Sequence, residues 1–308
     1  MPTPPCCEDY PRVKGFSCSD RIEGGRSLSA SSVLERKNSE VLVTIITVAF
    51  NAAATLDCAI RSVLSQDHQT LEYIIIDGGS TDGTVDVLRA YGDRLDYFCS
   101  EPDCGISDAF NKGIALARGE VIGLLNADDW YMPGAISSAI GALQENPAFD
   151  FVFGDLTMEG PGGRCRVEQK GDPAYLRQLS KGMPSVPHPT VFVRRNVFTS
   201  FGLFRTDLKT AMDYEWLVRI SRQGVRGLYL PMVLAGMRLG GASDIGFVGG
   251  YLEVYRVSTA YGYPRLLAMV HFAARVVKGV VRRIFERWHL HWLVAGFRRL
   301  VRSRFHYR

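Results

Sequence analysis

No uninterrupted apolar run in the 308 residues reaches the roughly 18 that a membrane-spanning helix needs, so the chain is not expected to cross a bilayer. The amino end lacks the basic, apolar and small-residue succession of a signal peptide. Seven cysteines are present, an odd number, and none forms a Cys-x-x-Cys pair or a zinc-like spacing. A disulfide framework and a structural zinc site are therefore not expected, and a reducing, cytoplasmic setting is. Cys58 in a helix pattern and Cys99 in a strand pattern read as buried thiols, whereas Cys6, Cys7 and Cys18 fall in an aperiodic segment. Also missing are a GxxxxGK phosphate loop, a GxSxG nucleophile elbow and an HExxH helix. Acids are nearly absent from one region: residues 265–308 hold eleven Lys or Arg and one acid, Glu286, for a charge of about +10. The chain total is +4, so the remainder stands near −6.

What is present is ordinary globular composition, 46% hydrophobic and 22% charged, arranged in a strongly patterned order. Residues 1–39 are rich in Ser, Gly, Pro and charge without periodicity, and read as a disordered leader. Order begins with Val41 to Val48, β-branched and apolar throughout, as a strand buried on both faces should be. A helix pattern follows at Leu56, Ile60, Val63 and Leu64, then a strand at Tyr73 to Ile76 and a helix from Val85 to Ala90. A strand over Leu95 to Cys99, a helix from Ser107 to Ala117 and a strand over Val121 to Leu125 complete the alternation. Such alternation specifies a Rossmann-like α/β fold: a mostly parallel sheet with helices on both faces. Past residue 150, strands are expected at Phe151 to Phe153, Arg164 to Gln169 and Thr190 to Val193, with a helix from about Asp213.

Ligands of such sheets bind outside the carboxyl ends of the strands. Polar residues gather there: Asn51 after the first strand, Asp77 after the second, Glu101 and Asp103 after the third, and Asn126, Asp128 and Asp129 after the fourth. An acidic edge accommodates a phosphate-bearing ligand if Mg²⁺ or Mn²⁺ bridges the two, since these ions take one or two carboxylates plus substrate phosphates. Asp128 and Asp129 are the candidate metal carboxylates, though an Asp pair before a helix serves equally as a cap. Asp77 opens a Gly-rich turn and suits the ring N–H of a base, or simply closes an Asx turn. Asp108, Asn111 and Lys112 share a helical face, where Lys112 meets either a diphosphate or its own Asp neighbour. Asp213, Trp216, Leu217 and Ile220 place a carboxylate on an apolar helix face, the setting of a general base or of a helix cap. His188, between two prolines, faces an acceptor or packs.

As an ordered set these strings resemble the bacterial family 2 glycosyltransferases of the GT-A fold. Ile46-Thr47-Val48-Ala49-Phe50-Asn51 is similar to the family's opening strand, and Ile76-Asp77 through Thr84 to its second strand and turn. Glu101-Pro102-Asp103 through Asp108-Ala109-Phe110-Asn111-Lys112-Gly113 resembles the segment after the third strand. Leu125-Asn126-Ala127-Asp128-Asp129 stands at the metal-binding DxD, with Asn126 in place of its first acid. His188-Pro189-Thr190 and Asp213-Tyr214-Glu215-Trp216 resemble the acceptor loop and the catalytic-base helix, so the likeness runs from about Val41 to Ser243. It implies a domain over 40–245, with a nucleotide half to about 130 and an acceptor half from about 131. By the same likeness Asp213 is the catalytic base, and Thr47, Asn51, Asp77, Asp108, Lys112, Asn126 and Asp128 bind the nucleotide sugar. His188 and Trp216 face the acceptor, and Asp128 and Asp129 hold Mg²⁺ or Mn²⁺. The implied reaction moves a sugar, from a UDP donor by preference, to a glycan or lipid-linked acceptor with inversion.

Residues 246–308 read as a helical tail, in which Val276, Val277, Val280, Val281, Ile284, Phe285 and Trp288 form an apolar stripe beside Arg275, Lys278, Arg282, Arg283 and Arg287. That pattern suits the interface of an anionic membrane, at the inner face of the plasma membrane, or packing on the domain. The tail has no zinc-finger or basic-zipper spacing, so no nucleic-acid partner is expected. Two rival functions remain: a nucleotidyltransferase, which would want a Gly-rich basic loop where Asn51-Ala52-Ala53-Ala54 stands, and a non-catalytic sugar-nucleotide binding module.

Overall fold

The β-branched and apolar runs become the strands of one mixed sheet in the computed structural model, which describes residues 21–26, 41–160, 166–179, 182–239 and 247–287. The first half comprises β1 (Ile22–Gly24), β2 (Val43–Ala49), α1 (Leu56–Leu64), β3 (Leu71–Asp77), α2 (Thr84–Ala90), β4 (Tyr97–Ser100), α3 (Ile106–Leu116), β5 (Val121–Asn126) and β6 (Trp130–Tyr131). The second half comprises α4 (Ala135–Glu145), β7 (Phe151–Glu159), β8 (Arg166–Gln169), α5 (Tyr175–Leu179), β9 (Phe192–Arg194), α6 (Arg195–Phe201), α7 (Met212–Arg222) and β10 (Gly227–Arg238). Two further helices follow, α8 (Phe247–Ala260) and α9 (Arg265–Arg287). The sheet order is β1-β4-β3-β2-β5-β9-β7-β10-β6, with β8 alongside β7. Pairs β4–β3, β3–β2, β2–β5 and β7–β10 are parallel; β9 runs antiparallel between β5 and β7 and so joins the two halves.

Alternation along β2 explains why its whole length is apolar. Ile46 and Val48 enter one core layer with Phe110 and Ile114 of α3 and Leu217 and Ile220 of α7. Val43, Ile45 and Ala49 enter the other, with Ile60 and Val63 of α1, Leu88 of α2 and Ile140 of α4. Each buried Val, Ile or Leu contributes about 1.5–3 kcal/mol, enough in aggregate to hold the strand ends in fixed register.

Four expectations change. Ile22–Gly24, inside the expected leader, is an edge strand antiparallel to β4, with Ile22 opposite Ser100; residues 1–20 and 27–40 lie outside the described residues. The long strand β10 was not anticipated at all. The strand expected over Thr190 to Val193 begins only at Phe192, because His188–Thr190 form a 3₁₀ turn. Cys58 is exposed on the outer face of α1, whereas Cys99 is buried as expected, its thiol pushed up to about 12 chiefly by burial.

Candidate active site

Two loops at the carboxyl edge of β2 and β3 are tied together through side chains. Asn51 adopts φ +49°, one of the few conformations in which Asn replaces Gly at modest cost. Its N–H donates to Ser80 Oγ at 2.7 Å, and its Oδ1 accepts from the Thr81 N–H at 3.0 Å. Nearby, the Ala53 N–H donates to Asp82 Oδ2 at 3.0 Å and the Ala52 N–H to Thr84 Oγ1 at 2.8 Å. The Thr84 hydroxyl and the Ala53 N–H hold the Asp82 carboxyl below its usual range. Next to this clasp Phe50 leaves 67% of its surface in water, an aromatic face that the sequence reading passed over.

Asp77 ends β3 fully buried, and its two oxygens are unequally engaged. Oδ2 accepts the Gly79 and Ser80 N–H groups at 3.2 and 2.9 Å and the Ser100 hydroxyl at 2.6 Å, whereas Oδ1 accepts only the Ser80 hydroxyl at 2.5 Å. Oδ1 therefore keeps a lone pair for one further donor. The turn can close this tightly because Gly79 sits at φ +82° and Gly78 has no Cβ, which would lie 2.7 Å from Asp103 Oδ2. Thr47 departs from expectation: its side chain is buried inside the sheet, sharing a 3.0 Å hydrogen bond with the Tyr73 phenol, because its place in the alternation turns it away from the edge. Lys112 is likewise engaged, 2.8 Å from Glu101 Oε1 and 3.4 Å from Asp108 Oδ2. Burial alone would lower its pKa, but these acids raise it on balance, so it stays charged. Asp108 also accepts the Cys104 N–H at 3.1 Å, bracing the loop into α3.

The end of β5 is different, because polar atoms there lack partners. Asn126 Nδ2 donates to Asp129 Oδ2 at 2.9 Å, yet Asn126 Oδ1 and Asp129 Oδ1 are buried without a hydrogen bond. Each such group costs about 1–3 kcal/mol if left unsatisfied. Burial pushes the Asp129 carboxyl well up and the charge of Asp128 adds to it, while Asn126 and Arg238 pull it back. Asp128, partly exposed, stands beside them. Two orphaned oxygens and an adjacent carboxylate are the hard-oxygen set that Mg²⁺ or Mn²⁺ takes when substrate phosphates and water complete its shell. Among the described residues no three His, Cys, Asp or Glu group so as to hold a metal ion by themselves. Pairing of β6 with β10 brings Arg238 over the Trp130 ring at 5.9 Å, a basic group at this edge that spacing gave no sign of.

The second half supplies Asp213, and α3 carries it to the same edge. Ser107, in the first turn of α3 just past the end of β4, donates to Met212 Sδ at 2.9 Å and to the Leu208 carbonyl at 3.3 Å. Asn111 and Phe204 exchange a reciprocal pair, side-chain Nδ2 to carbonyl at 2.8 Å and N–H to Oδ1 at 3.0 Å. The first turn of α7 is thereby fixed beside the carboxyl edge of the nucleotide-half strands. There Asp213 Oδ1 accepts the Tyr214 N–H at 2.7 Å, and burial pushes its carboxyl up to about 6, despite that bond. Part of its surface remains open. Trp216, one turn on, is only 4% exposed, stacked on Phe198 at 5.1 Å and beside Phe204 at 5.6 Å. It is a core residue, not an acceptor surface, since it lies on the helix face that packs on the sheet. His188 packs on Phe110 at 5.3 Å with Nε2 buried and unpartnered; burial pushes it down to about 4, so it is neutral at pH 7.

A sequence profile of the family described as Glycosyl transferase family 2 matches residues 44–201, from β2 through α6, including the clasped loops and the β5 end described above. The chain belongs to that family. Among relatives of this glycosyltransferase is the "PGL/p-HBAD biosynthesis glycosyltransferase" of Mycobacterium tuberculosis, 26% identical over 80% of this chain and 97% of the relative. Two solved structures share its fold. The mannosyltransferase PcManGT from Pyrobaculum calidifontis, in complex with GDP-Man and Mn²⁺, aligns with a TM-score of 0.56 at 18% identity, over 79% of this chain and 76% of the other. S. aureus TarS 1–349, in complex with UDP-GlcNAc, aligns with a TM-score of 0.54 at 16% identity, over 76% and 71%. The mixed α/β sheet of this family 2 glycosyltransferase is therefore of the GT-A kind.

Proposed function

We propose that this glycosyltransferase transfers a hexose-type sugar from a nucleotide diphosphate donor, UDP-linked by preference, to a hydroxyl of a glycan or glycolipid acceptor, with inversion and with a divalent cation. The observation that carries the reading is the end of β5, where Asn126 Oδ1 and Asp129 Oδ1 are buried without partners beside Asp128; the part-exposed Asp213 carboxyl at the start of α7, which burial pushes up to about 6, supports it. The UDP-GlcNAc held by TarS 1–349 and the GDP-Man and Mn²⁺ held by PcManGT are consistent with such a donor.

Mg²⁺ or Mn²⁺ held by Asp128, with Asp129 and Asn126, would neutralise the departing diphosphate. Asp213, ionised above about pH 6, accepts the proton of the acceptor hydroxyl while that oxygen attacks the anomeric carbon. The bond from the anomeric carbon to the diphosphate oxygen breaks on the opposite face, and the configuration inverts. Phe50 offers the base a stacking surface, Asn51 shapes the loop beneath it, and Asp77 fixes the turn through Oδ2 while Oδ1, with one donor, keeps a lone pair for the ring N–H of the base. Asp108 and Lys112 brace the adjoining loop as a pair, and His188, neutral, lines the acceptor side. Lipid-linked acceptors would also give meaning to α9, whose Leu266, Met269, Val270 and Val277 face outward in water. No helix among the described residues is long and apolar enough to cross a membrane. The reading for α9 is a helix lying on an anionic surface at the inner face of the plasma membrane.

Nucleoside diphosphate release from UDP- and GDP-sugars tests the reaction. The expected result is release that requires Mn²⁺ or Mg²⁺ and stops with a chelator, and a product of inverted anomeric configuration by NMR. Release indifferent to the chelator, or a product of retained configuration, contradicts the proposal.

A further inference from the structure

Glu253, in the second turn of α8, reaches across to the segment that opens α7. Its Oε1 accepts the Lys209 N–H at 3.0 Å. Its Oε2 accepts the Thr210 N–H at 2.9 Å, the Thr210 hydroxyl at 2.9 Å and the Ala211 N–H at 3.0 Å. Three consecutive N–H groups thus converge on one carboxylate immediately before the helix that begins at Met212. The N-cap of that helix is Ala211, which has no capping side chain, and of the N–H groups on Glu253 that of Ala211 belongs to the cap while those of Lys209 and Thr210 belong to the segment leading into it. Burial would raise the Glu253 carboxyl, yet the N–H groups of residues 209–211 outweigh it and hold it below the usual range. A second tie lies one turn further on, where Tyr261 donates to Glu215 Oε1 at 2.6 Å. The first turn of α7 is therefore gripped from two sides, by Ser107 of α3 and by α8.

We propose that Glu253 is a positioning residue for catalysis, holding the 209–211 segment so that Asp213 keeps its half-buried place at the sheet edge. This rests on the reading of Asp213 as the base. The ionisable groups on the elements around that turn are already committed: Lys112 to Glu101 and Asp108, and Glu215 to Arg219 and Tyr261. His188 is neutral. Release of the grip therefore acts on Asp213 through its burial rather than through a new charge. Once the segment relaxes, Asp213 becomes better solvated and its carboxyl falls back toward the ordinary range.

The test is steady-state kinetics of E253A and E253Q as full chains beside D213N, with Mn²⁺ and the UDP- or GDP-sugar turned over best. The expected result is a kcat lower by about ten- to a hundredfold, the cost of a slightly misplaced group. Donor KM should stay within about twofold, and the acid limb of the kcat profile should move to lower pH. A wild-type kcat and acid limb in a folded variant overturns the proposal. So does a loss of kcat that follows the folded fraction while the limb stays put. If E253A does not fold, E253Q decides, since its amide keeps one accepting oxygen and the side-chain length. Wild-type turnover in D213N removes the base reading itself, whereas an inactive D213N beside a normal E253A removes only the role of Glu253.

Discussion

Asn126 stands where an acid would give the sheet edge a third carboxylate, and its amide does two jobs: Nδ2 ties down Asp129 while Oδ1 is left without a partner. In the proposed cation site the charge burden thus falls on Asp128 and on Asp129, whose carboxyl burial pushes up. Asp128→Ala is expected to weaken Mn²⁺-dependent binding of a nucleoside diphosphate by at least about tenfold in calorimetry, while binding without metal changes little. Equal affinities with and without Mn²⁺ in the unmutated protein would count against the site. At this scale the sequence was readable as to position but not direction. Polar residues at strand ends mark the edge because the topology puts them there. Spacing carries no information on how many lone pairs a side chain has to spare, so the crowding of donors on Asp77 Oδ2, the inward turn of Thr47 and the pairing of Lys112 emerge only from packing. Trp216 was misplaced for a related reason, since an apolar helix face includes both the core and the lip of a pocket.

Among the elements, the strands β2, β3 and β5 were legible because burial on both faces forces continuous apolar runs. Strand β10 was not. It contains Pro231 and glycines at both ends, and its register with β7 shifts between Tyr229 and Ala235, so neither alternation nor a continuous run survives. Strand β1 is three residues long and owes its form to the free edge of β4. The helix α9 was foreseen as amphipathic, and its described side chains refine the stripe. Ala268, His271, Phe272, Arg275 and Val276 lie inward or half-buried, while Leu266, Leu267, Met269, Val270, Val277, Val280 and Val281 are exposed. Arg275 lies against Gly182, where a Cβ would stand 2.4 Å from its guanidinium. Tail residues from 288 lie outside the described residues. Flotation with vesicles tests this helix: the full chain is expected to rise with anionic vesicles and much less with neutral ones, and Val270→Ser with Val277→Ser should reduce it several-fold. Equal flotation by the doubly substituted chain would contradict docking through this face.

In the whole molecule, β9 runs between β5 and β7 and thereby welds a half that fixes the nucleotide-side loops to a half that delivers Asp213. The Asn111–Phe204 exchange and the Ser107–Met212 contact add a second tie between the halves, through α3. Under the proposed function the acidic body and basic tail have distinct tasks, one toward a cation and a diphosphate, the other toward a negatively charged surface.

The claim that joins these scales is that Asp213 takes the acceptor proton. Measuring kcat and donor affinity for D213N across pH 5 to 9, beside the unmutated enzyme, tests it most directly. The account predicts that turnover of the unmutated enzyme falls as pH drops through about 6, because a base must be ionised to act. It predicts a D213N turnover lower by about 10² to 10⁴ with no such limb, and donor binding nearly unchanged. Turnover in D213N near that of the unmutated enzyme, with the acid limb still in place, would contradict it.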